Sequence, residues 1–107
     1  MSKPIFYQVN LEIDPQIESN FSIWLEKHIG EVLSIDGFIN ATWYKQLSSD
    51  NNATLKWSVQ YQLKDQSSLN SYLNNHAPRL RQDGIKHFSN QFNTSRTISY
   101  IHQVFDA

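Results

Sequence analysis

Alternation of apolar and polar residues is the strongest pattern in the chain. Every second residue of the segment Ile5–Ile13 is apolar, and the same alternation runs through residues 53–63. Because a period of two sends neighbouring side chains to opposite faces of a strand, each run predicts a strand with one buried face. Residues 38–47 and 93–105 are rich in β-forming residues and predict two more strands. The polar segment 48–52 is typical of a hairpin turn.

Helical periodicity separates these strands, since apolar residues there recur at spacings of three and four. Asp14 and Pro15 supply an N-cap and a first helical residue for one helix, and Asp65 can cap another. Pro78 lacks a backbone N–H, so it marks the point where the second helix breaks and a further helical segment begins. The three stripes consist of Ile17, Phe21, Trp24, Leu25, His28 and Val32; of Leu69, Tyr72, Leu73 and His76; and of Ala77, Leu80, Arg81, Gly84, Ile85 and Phe88.

The predicted order of elements is βαββαβ with an additional helical segment before the last strand. This order specifies a ferredoxin-like α+β sandwich in which helices cover one face of an antiparallel sheet, and residues 1–107 fit a single domain. The opposite face is polar and could either form a wet interface with a second copy or face solvent. Its predicted members are Gln8, Asn10, Thr42, Tyr44, Ser58, Gln60 and Gln62.

Composition narrows the classes of function. The chain has 9 basic and 10 acidic residues without charge blocks. It therefore lacks the basic stripe of a nucleic-acid binder and the cluster of a polybasic membrane anchor. Cysteine is absent, which excludes disulfides and thiol catalysis. We find neither a signal-peptide pattern nor an apolar run of the ~20 residues that a membrane helix needs, so we expect a cytoplasmic protein.

His28 is the candidate catalytic residue. It follows Trp24 by one helical turn on the stripe that should face the sheet. An imidazole in a pocket there would act as a general base or would hydrogen-bond a ligand. The alternative is a histidine at the edge of the core that bonds a backbone carbonyl or packs on Trp24. Tyr61 lies on the buried face of its strand, and its hydroxyl needs a partner such as His28.

Other side chains with potential chemistry have structural interpretations as well. His76 ends its helix, where an imidazole interacts favourably with the helix dipole, so a structural role is expected. Arg81 lies on an apolar stripe, and its guanidinium either reaches a carboxylate, a carbonyl or an anionic ligand, or extends to solvent. Arg96 shares a strand face with apolar residues and also needs a partner. Trp43 could wall an aromatic-ligand pocket, although aromatic residues at strand spacing usually belong to the core.

Metal and cofactor motifs are missing from the sequence. The histidines at positions 28, 76, 87 and 102 show no metal-ligand spacing, and the three glycines are isolated rather than grouped in a phosphate-binding loop. We therefore expect no metal site and no cofactor. Any ligand pocket is predicted between the helices and the sheet. Its predicted lining is Trp24, His28, Trp43, Tyr61, His76 and Arg81.

Three segments resemble a small bacterial family known as domain of unknown function 4286. They are residues 24–33 (WLEKHIGEVL), 58–61 (SVQY) and 72–81 (YLNNHAPRLR), and the spacing of Phe88, Phe92 and Arg96 also fits. The chain departs from the family at Gly30, where proline is expected. The resemblance spans nearly the whole chain; it implies the ferredoxin-like fold and brings no established activity.

The first helical segment is also similar, more distantly, to the first helix of EthD-like dimeric α+β barrels. The relatives of those proteins include cofactor-free oxygenases, isomerases and proteins with no demonstrated catalysis. The similarity implies sheets that pair back to back and pockets between sheet and helices, and so it favours a homodimer by analogy.

Three functional hypotheses remain open at this point. The first is a homodimeric domain that binds a small-molecule ligand or is non-catalytic. The second is a cofactor-independent oxygenase or isomerase that uses His28 as a base on a small aromatic or carbonyl compound. The third is a protein-interaction module that uses the polar sheet face. A cavity on which His28 and Tyr61 converge would favour the first two, whereas a solidly packed aromatic face would leave only the third.

Overall fold

The architecture follows from a computed structural model that describes residues 3–47 and 54–107 of the chain. A single 3₁₀ turn, Pro15–Ile17, precedes the first helix. The elements are β1 (Ile5–Ile13), α1 (Glu18–Leu33), β2 (Phe38–Lys45), β3 (Leu55–Leu63), α2 (Gln66–Asn75), α3 (Ala77–Phe88) and β4 (Phe92–Tyr100). The predicted order, including the additional helix before the last strand, is therefore confirmed.

The start of α1 and the end of the last strand differ from the sequence prediction. The Asp14 carboxylate accepts a hydrogen bond from the backbone N–H of Gln16 and caps the 3₁₀ turn, so α1 itself begins only at Glu18. The last strand ends at Tyr100 rather than at residue 105. The reason is that Tyr100 pairs with Ile5, the first residue of β1, and no strand lies beyond it to bond. The predicted hairpin turn at residues 48–52 lies outside the described residues.

All strand pairs are antiparallel, and the strands lie in the order β2-β3-β1-β4. The register aligns the apolar alternation of β1 with that of β3, for example Tyr7 with Tyr61 and Val9 with Val59. These side chains share the face that the helices cover, and most of them are buried. The core lies between this face and the helices.

The other face of the sheet carries a chain of polar side chains, as predicted. Gln60 donates to Gln8 (3.3 Å), Gln8 donates to Asn10 (2.8 Å), and Asn10 donates to Ser95 on β4 (3.4 Å). This row of hydrogen bonds crosses three strands and gives the side-chain amide groups partners within the protein.

The break between α2 and α3 occurs where Pro78 was expected to cause it. His76 separates the two helices, and its backbone N–H donates to the carbonyl of Tyr72 at 2.9 Å. Pro78 then lies in the first turn of α3, where its missing N–H leaves no helical bond unmade. Asp65 caps α2 by accepting from the backbone and the hydroxyl of Ser68, and these hydrogen bonds hold the pKa of Asp65 below its usual value. Within the described residues, no helix is long and apolar enough to cross a membrane.

Candidate functional site

A cavity of about 240 Å³ lies between the sheet and the helices α1 and α3. The sheet forms its floor and the two helices form its roof. Most of its wall is apolar or aromatic, with a few polar groups, which is the usual composition of a small-molecule site. The lining residues are Tyr7, Val9, Leu11, Trp24, Leu25, His28, Val59, Tyr61, Tyr72, Leu80, Arg81, Gly84, Ile85, Phe92, Thr94 and Arg96.

The register of the strands determines which side chains form the floor of the cavity. Val9 lies between Val59 of β3 and Arg96 of β4, so one row across the sheet passes from an apolar side chain to a guanidinium. The next row contains Tyr7 and Tyr61. The floor is therefore apolar under β3 and cationic towards the edge strand β4.

Trp24 forms the roof and is fixed in place by several contacts. Its indole Nε1 donates to the Asp83 carboxylate on α3 at 3.0 Å, and its ring packs against Phe21. A Cβ at Gly84 would lie only 3.1 Å from the indole. Glycine at this position thus lets α3 approach α1 closely enough for the hydrogen bond to form.

His28 packs on Trp24, as the structural interpretation expected, and it also borders the cavity. The two rings are nearly parallel, with centroids 4.7 Å apart. The Nδ1 atom of His28 is buried and has no hydrogen-bond partner among the described residues. A buried polar atom that lacks a partner costs free energy, so a hydrogen-bonding group placed beside Nδ1 would be stabilising.

The electrostatic surroundings favour a neutral imidazole. Burial lowers the pKa of His28 below its ordinary value of 6.5, because desolvation disfavours the cation. The carboxylates of Glu31 and Asp83 oppose this effect, and the guanidinium of Arg96 adds to it. A neutral imidazole can accept a proton or a hydrogen bond from a ligand in the cavity.

The partner of Arg81 is a residue that the sequence did not suggest. Its Nη2 donates to the Tyr7 hydroxyl at 3.2 Å. The guanidinium therefore reaches from α3 across to the sheet, while the residue as a whole remains exposed. Arg96 donates to the Thr94 hydroxyl at 3.2 Å, beside the same cavity.

Two tyrosines supply hydroxyl groups that remain protonated. Burial raises the pKa of Tyr61 far above its ordinary value, and it raises the pKa of Tyr72 to about 12. Both phenols are thus hydrogen-bond donors, and neither can serve as a base near neutral pH. The expected hydrogen bond between Tyr61 and His28 is not present among the described residues, although both side chains line the cavity.

Four of the six predicted lining residues meet at the cavity, namely Trp24, His28, Tyr61 and Arg81. Trp43 does not line it, because β2 is the strand farthest from β4; its indole packs on Trp57 with centroids 5.2 Å apart. His76 does not line it either, because it lies between two helices with its ring parallel to that of Tyr72. Both residues thus lie outside this cavity, and their contact with a ligand stays a prediction.

Sequence reasoning did not place three residues of the site. Tyr7 belongs to the apolar alternation of β1, and only the fold brings its hydroxyl to Arg81. Arg96 had been identified as a cation without a partner but had not been assigned to the pocket. Gly84 occupied an apolar helical stripe, and a glycine there is the available signal for a close approach of another side chain. Among the described residues, no group of three or more His, Cys, Asp or Glu side chains is arranged to hold a metal ion.

Solved structures share this fold over almost the whole chain. A mutant of SnoaB, a cofactor-independent oxygenase from Streptomyces nogalater, matches with a TM-score of 0.75 and 7% identity, covering 99% of this chain and 100% of its own. A candidate antibiotic-biosynthesis monooxygenase from Bacillus cereus matches with a TM-score of 0.71 and 10% identity over 99% and 100%. A heme-degrading protein from Mycobacterium tuberculosis matches with a TM-score of 0.68 and 8% identity over 100% of both chains.

At such low identity these similarities establish the fold and not the chemistry. They confirm the ferredoxin-like α+β class, of the dimeric α+β-barrel type. No curated protein matches the chain in sequence. The model of the family described as "Domain of unknown function (DUF4286)" matches residues 4–102, and the chain belongs to that family.

Proposed function

We propose that the protein binds a small, planar, mostly apolar organic molecule in the cavity, and that His28 hydrogen-bonds to it. The observation that carries the proposal is the buried, unpaired Nδ1 atom of His28, a residue of the mostly apolar cavity wall. A ligand with a hydroxyl group would supply the missing partner. Its ring would lie beneath Trp24 and above Val9.

The size of the cavity limits the ligand. A volume of about 240 Å³ equals that of about eight water molecules in the liquid, which is room for a single substituted ring. It is far too small for a tetrapyrrole, so heme is not the ligand proposed for this chain despite the heme-degrading structural neighbour.

Phenol is a suitable probe because its ring fits the cavity and its hydroxyl donates to Nδ1. Titration followed by the indole N–H resonances of ¹⁵N-labelled protein uses two tryptophans of this chain as internal reporters. The Trp24 resonance is expected to shift saturably, whereas that of Trp43, outside the cavity, stays in place. His28→Gln should weaken binding several-fold because it removes the imidazole acceptor, and His102→Gln, in the exposed C-terminal segment, is the matched control. Equal shifts at both indoles, or none, would refute a binding site in this cavity.

Catalysis by the same site is the second candidate, favoured by the neutral state of His28. The imidazole would take a proton from an acidic C–H or O–H bond, leaving an imidazolium and a substrate anion. Return of the proton to another carbon completes an isomerisation without a cofactor. His28 also borders a surface groove lined by Glu31 and Asp83, which offers the proton a route to solvent.

Acetylacetone in deuterated water tests this step directly. A base in the cavity would exchange the methylene hydrogens for deuterium faster than buffer alone does, and His28→Gln would return the rate to that of buffer. Uptake of dioxygen by the same mixture would identify an oxygenase, and exchange without uptake would identify proton-transfer chemistry. An exchange rate that His28→Gln leaves unchanged would exclude His28 as the base.

We further propose that the protein is a homodimer. The supporting observation is a run of exposed apolar side chains at the end of the chain, where Val104 is 68% and Phe105 is 81% exposed. Ile98 and Tyr100 extend this run onto the helix-covered face of the edge strand β4. An apolar surface of this kind on a small protein is typical of an interface.

Light scattering near physiological protein concentration should give twice the chain mass of 12.5 kDa. The double variant Val104→Ser with Phe105→Ser should lower the measured mass towards that of one chain. Leu47→Ser, which changes a single exposed leucine far from the C-terminus in sequence, should leave it unchanged. A wild-type protein that scatters as one chain would contradict the dimer.

A further inference from the structure

Two arginines reach the cavity from different elements. Arg81 comes from α3 in the roof, and Arg96 comes from β4 in the floor. Arg81 bonds to Tyr7, while Arg96 pairs across the strands with Val9. Both guanidiniums also oppose the rise in the pKa of Tyr72, so both lie within electrostatic reach of that phenol in the cavity wall.

No acidic side chain balances this charge inside the cavity. The lining residues of the described chain include two arginines and one histidine but neither Asp nor Glu. The only ion pair found among the described residues joins His87 to Asp83 on the surface of α3. Arg81 and Arg96 bond instead to the neutral hydroxyls of Tyr7 and Thr94.

A guanidinium has five N–H donors, so one hydroxyl bond leaves most of its capacity free. Planar, charge-assisted pairing with carboxylate oxygens is the interaction for which this group is best suited. The apolar floor over Val9 and Val59 favours the ring of a ligand, whereas the cationic end favours an anion. The cavity therefore favours a compact molecule that carries both an apolar ring and an anionic group.

We infer that the ligand is a small aromatic carboxylate, whose ring lies between Trp24 and the floor and whose carboxylate faces Arg81 and Arg96. The inference rests on the proposed function, since it specifies the ligand of the same cavity. It adds the charge, the geometry of the anionic group and the two residues that recognise it. A benzoate-sized molecule matches the volume of about 240 Å³.

Benzoate and benzamide form a matched pair of probes, because they have almost the same shape and differ in charge. Wild-type protein is expected to bind benzoate about tenfold more tightly than benzamide, the difference that one charge-assisted hydrogen bond provides. The measurement is a calorimetric or NMR titration at constant ionic strength. Either Arg81→Gln or Arg96→Gln should bring the ratio close to one while benzamide binding persists.

Arg79→Gln is the matched control, since it removes the same charge from the same helix at an exposed position outside the cavity lining. It should retain the preference for benzoate. Circular dichroism checks that each variant is folded, and the Arg96→Gln variant keeps the test open should Arg81→Gln fail that check.

The outcomes separate this inference from the proposed function. If phenol and benzamide bind at the cavity but benzoate binds no better, the anion inference is wrong and the binding site stands. If none of the three binds, both are wrong. Tighter binding of phenyl phosphate than of benzoate would replace the carboxylate by a tetrahedral anion and overturn the ligand class. Loss of the benzoate preference in Arg79→Gln would show that overall charge, not the cavity, produces it.

Discussion

The interface between the helices and the sheet has two halves with similar residues. One half is closely packed, and the other encloses the cavity. In the closed half, α2 packs on β1 and β3, and Leu63 and Leu69 are fully buried. The rings of Phe38 and Tyr72 meet edge to face where this half borders the cavity, with centroids 5.1 Å apart. In the open half, α1 and α3 lie over β1 and β4 and enclose the cavity.

The position of β4 explains the difference. It is an edge strand, and its residues facing the helices include Arg96 and Thr94, both exposed. At one end, Phe21, Phe88 and Phe92 pack together and close the interface, with Phe21 and Phe88 centroids 4.9 Å apart. Beyond that cluster the exposed side chains of β4 leave space between the sheet and the helices. The aromatic cluster therefore joins the helices to the sheet at one end of the interface, and the cavity lies beside it.

The largest expected effect contrasts one aliphatic residue from each half. Leu69→Ala in the closed half should lower the free energy of unfolding by about 2–5 kcal/mol, because it leaves a void in a packed core. Ile85→Ala in the open half should cost less than about 1 kcal/mol, since that side chain is 51% exposed. Chemical denaturation measures both. Equal losses would mean that the open half is packed as tightly as the closed one.

A smaller effect is expected from glycines on the two roof helices. At Gly84 an added Cβ would lie 3.1 Å from Trp24, and at Gly30 it would meet nothing within 4 Å. Gly30→Ala should stabilise α1 by up to about 1 kcal/mol and leave phenol binding unchanged. Gly84→Ala gains the same helix propensity but pushes Trp24 towards the cavity, so it should weaken phenol binding without raising stability. Unaltered phenol binding by Gly84→Ala would show that Trp24 does not form the roof of the site.

The smallest effect concerns the dependence of stability on pH. Burial lowers the pKa of His28 in the folded state below 6.5, so between that lowered pKa and 6.5 the unfolded chain binds more protons. The free energy of unfolding should therefore fall as the pH drops below 6.5. His28→Gln should flatten this part of the profile, whereas His102→Gln should not. If wild type and His28→Gln showed the same dependence of stability on pH, the imidazole of His28 would be exposed to solvent and not buried.

The sequence predicted the fold well, because the alternation in β1 and β3 and the stripe of α1 each determine a buried face by local rules. It predicted the site only in part. Trp24 and His28 lie one turn apart on one helix, so local periodicity was enough to bring them together. The contact between Arg81 and Tyr7 joins residues 74 positions apart and depends on how α3 crosses the sheet. The same limit applies to Trp43, which lies outside the cavity, since the alternation within β2 does not show which edge of the sheet that strand occupies.

The most direct test of the cavity as an anion-binding aromatic site is a crystal structure of the protein grown with benzoate. We expect the ring between Trp24 and Val9 and the carboxylate within hydrogen-bond distance of Arg81 or Arg96. Benzoate density elsewhere on the surface, with the cavity empty or filled by side chains, would contradict the central claim.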